Sequence, residues 1–217
     1  MRTLSPNPIA RRLGLALVFT LWFAGVGWGM KLVLDYQVAA GPPAAAPTMW
    51  PASSGLARAA NGPTLLLLLH PRCPCSRATV AELSRIVSHT RDRLAVDVLF
   101  VVPEGLDARW AMSDLYRAAC AIPGVHVSLD PGGREARSFG GVTSGQALFY
   151  DAAGALRFAG GITPGRGHAG DNQGEATVEA LALDLAGEPL AAASPVFGCA
   201  LASPEKPGVR LAPVCRP

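Results

Sequence analysis

Two cysteines separated by a single proline, Cys73-Pro74-Cys75, are the residues of this 217-residue chain best suited to chemistry. A cysteine reacts as its thiolate, so a reactive thiol needs surroundings that favour ionisation near neutral pH. The start of a helix supplies them through its dipole and its free N–H groups. The pattern downstream predicts such a helix over residues 76–93, with Val80, Leu83, Ile86 and Val87 on one face and Arg77, Glu82, Arg85 and Arg91 mostly elsewhere. Proline suits the first turn, because it has no N–H to leave unpaired and its φ is preset. Cys73, beside Arg72, is the expected nucleophile, and Cys75 the expected resolving thiol. One intervening residue closes a smaller disulfide ring than the familiar two, and only some backbone conformations bring the Cα atoms within reach. A strained bridge of this kind is expected to be readily reducible.

Three other cysteines complete the set: Cys120, Cys199 and Cys215. Cys120, at the end of a helical pattern, is expected to be a small buried hydrophobe. A second polar cluster lies in the glycine-rich run TPGRGHAGDNQG at 163–174. Its Arg166 could stabilise a thiolate or bind an anion, and its His168 could accept a proton or ligate a metal. The alternative is a plain turn in which Asp171 and Asn172 bond to nearby backbone. Two thiolates with a histidine, His70 or His168, would also make a soft site for copper(I).

These residues need a scaffold. The apolar run TLLLLLH at 64–70 reads as a strand buried on both faces. A second strand is expected over 94–102, a second helix over 106–119 and a third strand over 125–129. A hairpin follows over 145–151 and 156–162, turning at Ala152-Ala153-Gly154, and a final helix covers 175–186. Parallel strands joined by helical crossovers and closed by an antiparallel hairpin give an α/β mixed sheet flanked by helices.

Residues 13–30 carry no charge and are roughly 27 Å long as a helix, close to the ~30 Å apolar core of a bilayer. An uncleaved transmembrane anchor over 13–34 is preferred here to a signal peptide, whose apolar core is shorter. Arg2, Arg11 and Arg12 precede the span, which predicts a cytoplasmic N-terminus over 1–12 and an exported remainder. Residues 35–61, rich in Pro, Ala, Gly and Ser, read as a flexible linker, 62–187 as the domain and 188–217 as a Pro-rich tail. The formal charge of +3 comes largely from the N-terminal basic residues. The near-neutral domain has no basic stripe, so nucleic acid is not an expected partner.

The order of elements, with Cys73-Pro74-Cys75 between the first core strand and its helix, resembles the thioredoxin fold over residues 62–187. Thioredoxins carry a cis-proline before the hairpin strand, where this chain has Ser144. That departure implies a different grip on extended peptides. The segments HPRCPCSR at 70–77, TSGQALFYD at 143–151, GGITPGRGHAGDN at 160–172 and VFGCAL at 196–201 resemble a bacterial group of membrane-anchored thioredoxin-fold proteins labelled RedB. The resemblance implies a role for Cys199 beyond the tail. A stapling Cys199–Cys215 disulfide is an equal alternative from the sequence.

The leading expectation is thiol–disulfide exchange with an extracytoplasmic thiol or disulfide protein, at the inner membrane and without a cofactor. Copper(I) binding or delivery through the same cysteines and a histidine is the alternative. Copper-assembly proteins of the Sco type share the architecture, although their cysteines are three residues apart. A non-catalytic scaffold is the third possibility.

Overall fold

The structure is a computed structural model that describes residues 8–42, 44–185 and 191–201. The chain divides into two compact units, residues 1–39 and 40–217. The first contains α1, Pro8–Val38, a 31-residue helix with no buried residue and an apolar window of mean hydropathy 1.7. It is long and apolar enough to span a membrane.

The second unit contains β1 (Thr64–Leu69), α2 (Ser76–Thr90), β2 (Ala95–Val102), α3 (Ala108–Ala111), α4 (Asp114–Cys120), β3 (Val125–Pro131), α5 (Arg134–Ser138), β4 (Gln146–Tyr150), β5 (Leu156–Gly161) and α6 (Gln173–Leu183). The strands form one sheet in the order β3-β2-β1-β4-β5. β1 pairs in parallel with β2, and β2 with β3, whereas β4 is antiparallel to both β1 and β5. This is the thioredoxin-like mixed sheet flanked by helices that the sequence predicts.

The leucine run of β1 explains the sheet's central strand. Leu65, Leu67 and Leu69 pack on one face with Val80, Leu83 and Ile86 of α2 and Val178 of α6. Leu66 and Leu68 point to the other face, among Phe139, Leu148 and Tyr150. All five leucines are fully buried, each contributing about 1.5–3 kcal/mol. A strand with apolar side chains on both faces is stable only at the centre of a covered sheet.

Three expectations change. The helix expected over 106–119 is broken into α3 and α4, because Asp107 and Ser113 each cap a new start, accepting from the Arg109 and Tyr116 N–H groups. The short helix α5 follows Gly132 and Gly133 at φ of 73° and 67°, and the Asp130 carboxylate accepts from the N–H groups of Glu135 and Ala136.

The segment expected to be a flexible linker is packed on the second unit from Gly41 onward. Trp50 lies edge-on to Phe139 and Tyr150, with ring centroids 4.9 and 5.2 Å apart. The Tyr150 hydroxyl donates to the Pro47 carbonyl at 3.1 Å, and Leu156 N–H to the Thr48 carbonyl at 2.8 Å. Small and proline residues hid one large aromatic anchor whose burial outweighs the composition of its neighbours. The tail behaves similarly. Residues 191–201 follow β5, where Ala159 N–H donates to the Ala192 carbonyl, and then cross to residues 142–144.

Candidate thiol site

The chain leaves β1 at His70 and enters α2 through a tight turn. Cys73 N–H donates to the His70 carbonyl at 3.1 Å, and the N–H groups of Ser76, Arg77 and Ala78 donate to the carbonyls of Cys73, Pro74 and Cys75. Cys75 is the N-cap residue and already helical, at φ −65° and ψ −31°. Residues 73–75 are therefore an extra turn on the front of α2, where Pro74 costs no hydrogen bond. Ser113 Oγ fixes the turn from the side by donating to the Pro71 carbonyl at 2.6 Å.

Cys73 is 3% exposed, while Cys75 and Cys199 are half-buried. The Sγ atoms of all three lie within 4.8 Å of one another. Cys199 arrives on the C-terminal segment, whose carbonyl at Cys199 accepts the Ser144 N–H at 2.8 Å. Ser144 stands where thioredoxins place proline, and its hydroxyl ties the site together. It accepts from the His70 N–H at 2.8 Å and shares a 2.8 Å hydrogen bond with Ser76 Oγ.

The three thiols differ in acidity. Burial opposes ionisation of Cys73, but hydrogen bonds from Ser76 and Cys199 more than offset it, so this thiol is held below its ordinary value. Burial raises Cys75, as does the charge of Cys73, and the Arg166 guanidinium partly compensates. Burial pushes Cys199 up to about 12, reinforced by its hydrogen bond to Cys73 and the charges of Cys73 and Cys75, again with Arg166 acting in the opposite sense. Of these three thiols Cys73 is the one most readily ionised, because its hydrogen bonds favour the thiolate while burial and like charge disfavour it at Cys75 and Cys199. Its acidity comes from Ser76 and Cys199. The neighbouring Arg72 instead stacks over the Trp110 ring, 4.4 Å from its centroid.

Arg166 reaches the site, donating through Nη1 to the Gly198 carbonyl at 2.6 Å. His168 is exposed at the tip of the same loop, where its N–H donates to the Gly165 carbonyl. His70 packs edge-on to Trp110, and its Nδ1 accepts from the Arg72 N–H. Among the described residues, neither histidine joins the group of metal-capable atoms; the third ligand beside Cys73 and Cys75 is Cys199. Cys120, expected to be buried, is exposed at the end of α4, because its neighbour Ala119 takes the core position. Cys215 lies outside the described residues.

The glycine-rich loop is held from its far end. Gly170 N–H donates to Glu82 Oε1 at 2.6 Å, Asp171 pairs with Arg85 at 3.2 Å, and Asn172 caps α6 through the Glu175 N–H at 2.9 Å. Glu82 is fully buried on α2, so this anchor fixes the loop to the same helix whose start carries the cysteines.

No family model matches the chain, and no curated protein matches it. Solved structures do. A hypothetical protein from Sinorhizobium meliloti 1021 is 18% identical, with a TM-score of 0.50 over 76% of this chain and 94% of that one. An uncharacterized conserved protein from Geobacillus kaustophilus is 16% identical, with a TM-score of 0.54 over 80% of this chain and 94% of that one. A secreted Mycobacterium tuberculosis disulfide oxidoreductase, described as homologous to E. coli DsbE, is 15% identical, with a TM-score of 0.43 over 57% of this chain and 82% of that one. The first two likenesses show that the fold of this chain recurs in other solved structures.

Proposed function

We propose that this protein performs thiol–disulfide exchange with an extracytoplasmic protein, anchored in a bacterial inner membrane by α1. The observation that carries the reading is the gathering of three thiols at the front of α2. Two further thiols lie within 4.8 Å of Cys73, and hydrogen bonds hold Cys73 itself below its ordinary value. A single acidic thiol attacks a partner's disulfide, and a neighbouring thiol completes the exchange. The absence of charge from residues 13–30 and the arginines before them support the anchor and an exported domain. The resemblance to the RedB-labelled group fits the same reading. The test is to equilibrate the detergent-solubilised protein with mixtures of reduced and oxidised glutathione. Wild type is expected to titrate between reduced and disulfide forms, and Cys73→Ser to lose that titration. A wild type whose thiols do not respond overturns the reading.

The three sulfur atoms support a second reading, a soft-metal site for copper(I) built from Cys73, Cys75 and Cys199 without a histidine. Copper(I) bound by the full chain in competition with a chromogenic chelator, and lost in Cys199→Ala, would favour it. Retention in Cys199→Ala with loss in His168→Ala would return the site to the cysteine–histidine set.

A further inference from the structure

Cys199 and Cys75 are both close to Cys73, but they are placed very differently. Cys75 follows Cys73 by two residues in the turn before α2, and its thiol is also hydrogen-bonded to Cys73. A Cys73–Cys75 disulfide would have to close within this single turn, whose carbonyls at residues 73 and 74 accept from the Ser76 and Arg77 N–H groups. Cys199 approaches from a separate segment and is hydrogen-bonded to Cys73 through its thiol.

That segment is held with care. The N–H of Leu201 donates to the Val142 carbonyl at 3.0 Å, complementing the bond from Ser144 N–H to the Cys199 carbonyl, and Thr143 and Ala200 form an antiparallel bridge. Gly198 is packed so tightly that a Cβ there would lie 1.8 Å from the Ser144 carbonyl oxygen. Arg166 fixes the Gly198 carbonyl from the other side. The chain thus supplies its own extended, cysteine-bearing segment, paired by backbone hydrogen bonds beside the nucleophile. An extended disulfide substrate would use the same kind of pairing.

We propose that Cys199 is the thiol that resolves the mixed disulfide formed on Cys73, giving a Cys73–Cys199 disulfide as the first oxidised form of the protein. The inference rests on the thiol-exchange reading. Cys73 thiolate first attacks a partner disulfide, and one partner cysteine leaves as a thiolate. Cys199 then loses its proton and attacks Cys73 Sγ. The bond between Cys73 and the second partner cysteine breaks, and that cysteine departs with its electron pair and takes up a proton. The partner has gained two electrons, and Cys73 and Cys199 have lost two. Cys73 is nearly sealed from solvent, so displacement of the segment admits the partner and its return delivers the resolving thiol.

The experiment exposes the reduced full chain in detergent to glutathione disulfide, quenches with acid and maps tryptic peptides without reduction. Trypsin places Cys73 in the peptide 73–77 and separates Cys199 from Cys215. In Cys75→Ala, the glutathione adduct on Cys73 is expected to disappear as the 73–77 peptide becomes linked to the Cys199 peptide. The Cys75→Ala/Cys199→Ala double variant is expected to retain the adduct. In wild type the first disulfide is expected to join the 73–77 peptide to the Cys199 peptide; a disulfide formed first within the 73–77 peptide, or any other product in Cys75→Ala, including a stable adduct or linkage to Cys120 or Cys215, overturns the inference. Wild type forming neither adduct nor disulfide at Cys73 instead overturns the exchange reading on which it rests.

Discussion

The backbone N–H of Ser144 donates to the carbonyl of Cys199 across 2.8 Å, joining the loop before β4 to the segment that closes the thiol site. The next contact along is closer still, because Gly198 leaves no room for a Cβ against Ser144. Gly198→Ala is therefore expected to push the segment away, at a cost of about 1–3 kcal/mol in overpacking. Urea unfolding should show the lost stability, and Cys73 should be alkylated faster than in wild type. An unchanged alkylation rate would show that Gly198 does not hold the cover over Cys73.

Cys199→Ala removes a hydrogen bond that lowers the acidity range of Cys73. The pH midpoint of Cys73 alkylation is expected to move upward by about one unit, the size of a hydrogen bond to a charged group. The midpoint is the measurement that decides, because the variant also changes access. Cys199→Ser, which keeps a donor, should shift it less.

Arg166 and His168 sit two residues apart and are expected to behave differently. In a Cys73→Ser background, Arg166→Gln should raise the pH at which Cys75 is alkylated, since the guanidinium favours the Cys75 thiolate. His168→Ala should leave that profile unchanged, because the imidazole is exposed and outside the cysteine cluster.

Much of this arrangement can be read from the sequence, and the exceptions share a cause. The uninterrupted leucines of β1 and the apolar stripe of α2 each report a local periodicity, so the strand, the helix and the loop between them are legible. Cys73 and Cys75 follow from that placement. Cys199 belongs to a segment with no periodicity, and its position depends on backbone pairing with residues more than fifty positions earlier. Gly198 beside it is the one local sign of a close approach. Trp50 is hidden in the same way, since its partners Phe139 and Tyr150 belong to distant elements. Composition describes the neighbours of such an anchor and misses the anchor.

Trp50→Ala tests whether the segment after α1 belongs to the folded domain. Loss of an indole packed on two rings is expected to cost about 3 kcal/mol, read as a lower urea midpoint. A variant as stable as wild type would restore the spacer reading.

Glu175 is buried beside Glu82, and burial followed by that neighbouring charge raises its carboxyl to about 7, against the pull of Arg85. An acid whose folded value lies above its ordinary 4.5 binds more protons folded than unfolded between those values. Wild-type stability is therefore expected to fall as pH rises from about 4.5 to about 7 through this group. Glu175→Gln should flatten that slope, gaining on wild type above pH 7 and matching it at low pH. Thermal unfolding across this range is the measurement.

The path of residues 191–196 has a practical consequence for handling the protein. β5 is the last strand of the sheet, and this stretch lies along its outer side through Ala159, Gly161 and Ser194. A fragment ending soon after α6 would leave β5 with a row of unanswered backbone groups, a template for association between copies. Soluble versions that stop at the last helix should precipitate, and those that continue through Leu201 should remain monodisperse.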